Sequence, residues 1–196
     1  REVLHAFSSC GIRTGLTYVS PHRIFIVKGL KHWLRDHHTF GFVGMGCIYI
    51  DSSLLDHLEL KTGKVLCMSV IIHETAHLAL KTQTNNFNAP DDSALVSFYG
   101  TQEVGYDVER KLFGCVPNFE IALQNELRGR KDSFVLWVHQ LYDYWSEETL
   151  LQRNIFYSMP PDVPLYVGKR RDSSYKEDFL NESGTSMYGQ QVADFM

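Results

Sequence analysis

Val70-Ile71-Ile72-His73-Glu74-Thr75-Ala76-His77-Leu78-Ala79 is the stretch on which the reading of this chain turns. Apart from His73, Glu74 and His77, every residue from Val70 to Leu80 is uncharged and nearly all are apolar, the pattern of a helix buried almost all round. At about 100° per residue, His73 and His77 stand one turn apart on the same helical face. Both imidazoles can then reach one metal ion, while Glu74, one step round the helix, can touch a water in the open coordination position. Two histidines and a carboxylate inside so apolar a helix carry a desolvation cost unless a metal or hydrogen bonds satisfy them. The run therefore predicts a metal site with His73 and His77 as ligands, one Zn2+ per chain, and Glu74 as the base.

This HExxH run resembles the signature of the zincin metallopeptidases, which has Val or Thr three places before the first His, uncharged residues around the ligands and an apolar residue after. Val70, Thr75, Ala76, Leu78 and Ala79 fit that pattern throughout. The resemblance covers the ten residues of the motif and extends more loosely over residues 40 to 115. It implies an α+β, zincin-like fold, with a small N-terminal mixed sheet packed on the HExxH helix and a mainly helical C-terminal half. It also implies hydrolysis of peptide bonds by a metal-activated water with Glu74 as general base, acting on a peptide or protein substrate. The alternative class is a catalytically inactive zincin-fold binding or scaffold module.

Zinc held by two neutral histidines needs a third protein ligand. The metzincin pattern, with a third His just downstream, is excluded because Leu78-Ala79-Leu80-Lys81-Thr82-Gln83 offers none. The gluzincins instead use a Glu on a following helix within an ExxxD motif, and Glu103-Val104-Gly105-Tyr106-Asp107 matches it. This likeness makes Glu103 the third ligand and Asp107 the carboxylate that accepts the free ring N–H of a ligand histidine. The small Gly105 permits close helix approach. A helical wheel of residues 103 to 113 argues differently. Val104, Val108 and Leu112 form its apolar stripe, Tyr106 and Phe113 a second flank, and Glu109 lies between them, so amphipathicity favours Glu109 as the buried carboxylate and alternative ligand.

A chain of 196 residues suits one domain, read as 1–157, with 158–196 as a C-terminal extension or tail packed on it. A hydrophobic content of 44% and a net charge of −4 exclude the disordered and nucleic-acid-binding classes. The longest apolar run, Val65 to Ile72, is about half of a bilayer span. Nothing at the N-terminus reads as a signal peptide, and a start at Arg1 without Met is expected of a processed or truncated form, so compartment and oligomeric state stay open. Cys10, Cys47, Cys67 and Cys115 form no CxxC pair, and Cys47 and Cys67 read as small core residues. Asn181-Glu182-Ser183 is a glycosylation sequon.

Ile12 to Lys28 alternates around Pro21-His22 and predicts a hairpin or two short strands. Lys31 to His37 predicts a short helix with His32, His37 and His38 on the surface. Cys47 to Asp51 predicts a strand, then a helical turn capped by Ser52 or Ser53 with Asp56. In zincins the strand before the metal helix is the edge that pairs with substrate, and Gly41, Gly44 and Gly46 are read as a loop bending away from a bound peptide. The metal helix is expected to start near Gly63. Residues 84 to 93 read as a polar loop, with Asp92 or Ser93 capping a second helix that ends at Gly114. Helices are expected over 119–128 and 133–156, the latter with Trp137, Leu141, Trp145 and Leu150 in the core, and a solvated tail with Lys169-Arg170-Arg171 from Pro160 onward. Tyr99, Tyr106, His139, Tyr142 and Tyr144 are the candidates to stabilise an oxyanion.

Overall fold

The computed structural model describes residues 2–17, 19–34, 39–85, 87 and 103–146. Its elements are α1 (Glu2–Ser9), β1 (Ile24–Val27), α2 (Leu30–Trp33), β2 (Gly41–Gly44), β3 (Cys47–Asp51), α3 (Lys61–Thr84), α4 (Val104–Phe113), α5 (Phe119–Leu127) and α6 (Ser133–Ser146). The architecture is mixed α+β, a three-stranded sheet beside a larger helical part.

The sheet is mixed, in the order β1-β3-β2, with β1 parallel and β2 antiparallel to β3. Alternation along β3 explains its two faces: Ile48 and Ile50 enter the main core with Val43, while Tyr49 turns the other way and stacks on Phe42 at 4.9 Å and Phe25 at 5.6 Å. Met45 and Gly46 join β2 to β3 with φ of 50° and 76°, a two-residue turn with both central residues left-handed, which matches the twist of a hairpin.

Several expectations are corrected here. Among its described residues, Ile12–Lys28 is neither a hairpin nor two strands: it contains short 3-10 turns at Thr14–Leu16 and Pro21–Arg23 and the strand β1, which pairs across the sheet with β3. Gly41 and Gly44 are not loop residues but the ends of β2. Because β2 and β1 flank it, β3 is the central strand and has no edge to offer a peptide. The turn after β3, Ser52–Leu55, is capped by Asp51, whose carboxylate accepts from Ser53 N–H at 2.9 Å and from Lys31 N–H at 3.0 Å. Its two oxygens hold both ends of the connection around β3 and leave Ser53 without the capping role.

Helix α3 is the axis of the molecule. It starts at Lys61, two residues before Gly63, and ends where Asn85 takes the left-handed conformation and donates its N–H to Lys81 and Thr82 carbonyls. Every residue from Glu74 to Lys81 is buried, polar ones included, while Val70 to His73 are half-buried. Gly63 lets its first turn pass under the His57 carbonyl, which leaves no room for a Cβ. The N-terminal half packs into the main core with Leu66, Phe113, Phe119, Phe134 and Trp137. The C-terminal half meets α1 and α4 through Phe7, Ala76, Ala79, Val104 and Val108. Ala76 and Ala79 keep that interface thin, so α4 lies close enough for its polar residues to reach α3.

Helix α4 ends at Gly114 as expected, with φ 82° and its N–H on the Arg110 carbonyl. Its start differs from expectation. Glu103 is the N-cap, while Asp92 and Ser93 lie outside the described residues. Helices α5 and α6 begin where the sequence places them, and Trp137, Leu141 and Trp145 join the core. Leu150, the remainder of 133–156, the boundary at 157/158, the tail, the sequon, His37 and His38 lie outside the described residues. His32 is exposed. No disulfide joins the four cysteines, and Cys47 and Cys67 pack half-buried against apolar clusters. No helix among the described residues is long and apolar enough to cross a membrane.

Candidate metal centre

His73 and His77 share a face of α3 one turn apart, and the N-cap of α4 brings a carboxylate to them. His77 Nε2 lies 3.3 Å from His73 Nε2, and Glu103 Oε1 stands 3.1 Å from the His73 nitrogen and 2.5 Å from that of His77. Among the described residues, these three form a group whose ligand atoms all lie within 4.8 Å of one another. Tetrahedral zinc with bonds of about 2.0–2.1 Å separates its ligand atoms by ~3.3 Å, so the two nitrogens already stand at such a spacing and the carboxylate needs only a small retreat.

Glu103 does two things at once. Its Oε2 accepts the Tyr106 N–H at 3.3 Å, which caps α4, and its Oε1 faces the two imidazoles. It therefore stands at the threshold of the helix, with φ −135° and ψ 105°, rather than one turn inside it as an ExxxD helix motif implies. The cap fixes the direction in which the other oxygen points.

The partner of His73 Nδ1 is Glu109, at 2.6 Å. A ring N–H donated from Nδ1 leaves the lone pair on Nε2, the atom aimed at Glu103 and His77, so Glu109 fixes the tautomer a metal ligand needs. On His73 that task belongs to Glu109, while Asp107 bridges Arg110 at 3.0 Å. Glu109 is the buried carboxylate, at 6% exposure, and Glu103 turns toward the histidines.

The electrostatics follow from crowding. Burial disfavours a charged His73, yet the carboxylates of Glu103 and Glu109 outweigh it and hold the imidazole well above its ordinary value. For Glu103, burial acts to raise the carboxyl, but His73 and His77 prevail and keep it well below its usual range. Burial pushes Glu109 up, against the pull of its bond to His73. Without a metal, protons shared among these groups supply the positive charge that the two carboxylates demand.

Two glycines bring neighbouring elements onto this part of α3. A Cβ on Gly105 would stand 2.5 Å from His73 Cε1 and Nε2, so α4 lies directly on the imidazole. A Cβ on Gly41 would stand 3.0 Å from Glu74 Cγ. Glu74 is itself buried. The sequence flagged Gly105 as a small neighbour and missed what Gly41 touches, because contact between β2 and α3 is a tertiary fact with no local signal.

Of the oxyanion candidates, Tyr106 alone among the described ones lies at the centre, edge-on to His73 with centroids 4.9 Å apart. His139 bonds Glu126 at 2.8 Å, Tyr142 lies beside Lys61 and Lys64, and Tyr144 donates to Glu2 at 2.6 Å. Tyr99 lies outside the described residues. Comparisons of the chain with protein-family models, curated proteins and solved structures give no match.

Proposed function

We propose that this chain is a zinc-dependent metallopeptidase of zincin type, gluzincin-like in its ligand set. His73, His77 and Glu103 would hold one Zn2+, with Glu74 as general base and Glu109 orienting His73. The observation that carries the reading is the convergence of two imidazole nitrogens and one carboxylate oxygen on a single point, next to a buried carboxylate that is not part of the trio.

A zinc ion bound there supplies Lewis acidity and lowers the pKa of an attached water toward neutrality. The chain's own residues do the rest. Glu74 accepts the proton of the attacking water and returns it to the leaving amine. Glu109 keeps the His73 proton on Nδ1, and Tyr106, whose ring packs edge-on to His73, would be the oxyanion donor. Among the described residues no further strand pairs with the outer side of β2, and Gly41 at its start abuts Glu74. An extended peptide added to β2, rather than to β3, would therefore run past the base.

Glu74→Gln tests the reading. Glutamine keeps size and hydrogen bonding but cannot take the proton, so fold and zinc should persist while turnover on a broad peptide library falls by roughly 10²-fold or more. Chelation should abolish cleavage and zinc should restore it. Wild-type protein with full zinc occupancy that cleaves nothing in such a library or in lysates would favour the inactive scaffold class instead. An active Glu74→Gln would assign the base elsewhere.

A further inference from the structure

Gly41 is a strand residue whose backbone needs no glycine. It pairs with Ile50 in the register of β2 on β3, and it is not among the glycines with positive φ, which are Gly11, Gly29, Gly46, Gly114 and Gly129. Glycine at an ordinary strand position sacrifices about 0.5–1 kcal/mol relative to alanine and usually marks a close approach. The approach here is to three atoms: a Cβ would stand 3.0 Å from Glu74 Cγ, 3.1 Å from Val70 Cγ1 and 3.2 Å from the Tyr49 carbonyl oxygen. The last is main chain in the central strand, which the ladders on both sides hold in place. A methyl at position 41 is thus blocked on the sheet side and must press on the helix side, where Glu74 is the nearer group.

We infer that Gly41 is a positioning residue for Glu74: the missing side chain is the space in which the stem of the base sits, and β2 is the wall that sets where its carboxylate ends. The ligands lie elsewhere on α3. His73 meets Gly105 and Glu109 of α4, and His77 meets Glu103, so pressure from β2 falls on the base and not on the metal. The inference rests on the hydrolytic reading for its kinetic consequence but not for its geometry.

The test compares Gly41→Ala, Val70→Ala and the double variant. Gly41→Ala should retain one zinc per chain, while kcat falls roughly 10- to 100-fold with KM changed by less than about threefold, because a misplaced base weakens the chemical step and not substrate binding. Val70→Ala alone should stay near wild type. The double variant removes the 3.1 Å contact and relieves general crowding, yet the contact with Glu74 remains, so its turnover should stay low. It also serves if the single variant does not fold. Full activity in either folded Gly41→Ala protein, or loss of zinc in step with loss of activity, overturns the inference. A crystal structure of Gly41→Ala separates this idea from the enzymatic reading. Glu74 should be displaced by a few tenths of an ångström with the ligand trio unmoved. An undisplaced Glu74 sinks the inference even if the wild type proves to be a peptidase, whereas a displaced Glu74 upholds it even if the wild type cleaves nothing.

Discussion

Near its first turn α3 holds Thr62, whose hydroxyl donates to one oxygen of Glu126 while His139 Nε2 bonds the other at 2.8 Å. About three turns further on, His73, His77 and Glu103 form a second polar cluster in the same helix. Both bury polar atoms among apolar neighbours, but their donors and acceptors are counted differently. In the first, a hydroxyl and a ring N–H give two donors to the two oxygens of one carboxylate, and the set is complete. In the second, His73 gives its ring N–H to Glu109, so the three facing atoms share at most the one N–H of a neutral His77, and a cation or an added proton would satisfy the lone pairs that remain. A buried polar cluster is therefore not by itself a site. The direction in which its lone pairs converge makes the distinction.

The comparison breaks most sharply on metal content. His77→Ala and Glu103→Ala should lose stoichiometric zinc, whereas Thr62→Val and Glu126→Gln should keep it and lose only stability, by about 1–3 kcal/mol for the unmet partner. Atomic spectroscopy after dialysis reads the first quantity and urea unfolding the second. Full occupancy in His77→Ala, or metal loss from folded Thr62→Val, would erase the distinction between the two clusters.

A smaller effect sharpens it. If Glu109 orients His73 without binding metal, Glu109→Ala should weaken zinc by roughly 10–100-fold and not abolish it. Asp107→Ala should leave the orientation of His73 intact, since the partner of its Nδ1 is Glu109. Complete metal loss in Glu109→Ala alone, with Glu103→Ala unaffected, would exchange the two roles.

Smaller again is the steric side. Gly105→Ala places a methyl 2.5 Å from a ring held in place by Glu109, so either the ring turns or α4 retreats. A stability loss of about 1–3 kcal/mol is expected from overpacking, with weaker zinc binding measured by chelator competition. An unchanged affinity would show that the imidazole yields freely, and that the close approach of α4 is incidental to the site.

What could be read in the sequence and what could not divides along local and tertiary lines. His73, Glu74 and His77 were legible because a helix converts spacing into direction, and Cys47–Asp51 because alternation does so for a strand. The end of α4 was legible from Gly114, since a left-handed cap is a local event. The start of α4 was not, because Glu103 caps it while also facing α3, and that second task is invisible to propensity. The pairing of β1 with β3 across an intervening helix and strand escaped for a similar reason: alternation marks a strand but not its partner. The choice between Glu103 and Glu109 stays open in the sequence because burial and convergence fall on different residues. One residue is buried and the other convergent, and only the packing of α4 on α3 assigns a task to each.

The smallest expected effect concerns pH, and it tests the convergent cluster. In the metal-free protein Glu103 and Glu109 hold His73 above its ordinary value of 6.5 despite burial. A raised histidine contributes stability that is fully present below its unfolded value of about 6.5 and is lost as pH climbs through the folded one. Urea unfolding with a chelator present should therefore show stability declining from about pH 6.5 into the alkaline range. With zinc bound, His73 Nε2 has no proton to lose. Metal competes with protons for that atom, so zinc affinity should rise over the same interval and offset the decline. Glu109→Gln should flatten the decline, because one of the two carboxylates that raise His73 is then gone. A metal-free protein whose stability is flat over that interval, or declines as steeply with zinc as without, would mean that His73 is not the atom at which proton and metal compete. The convergence of the three side chains would then be an accident of packing.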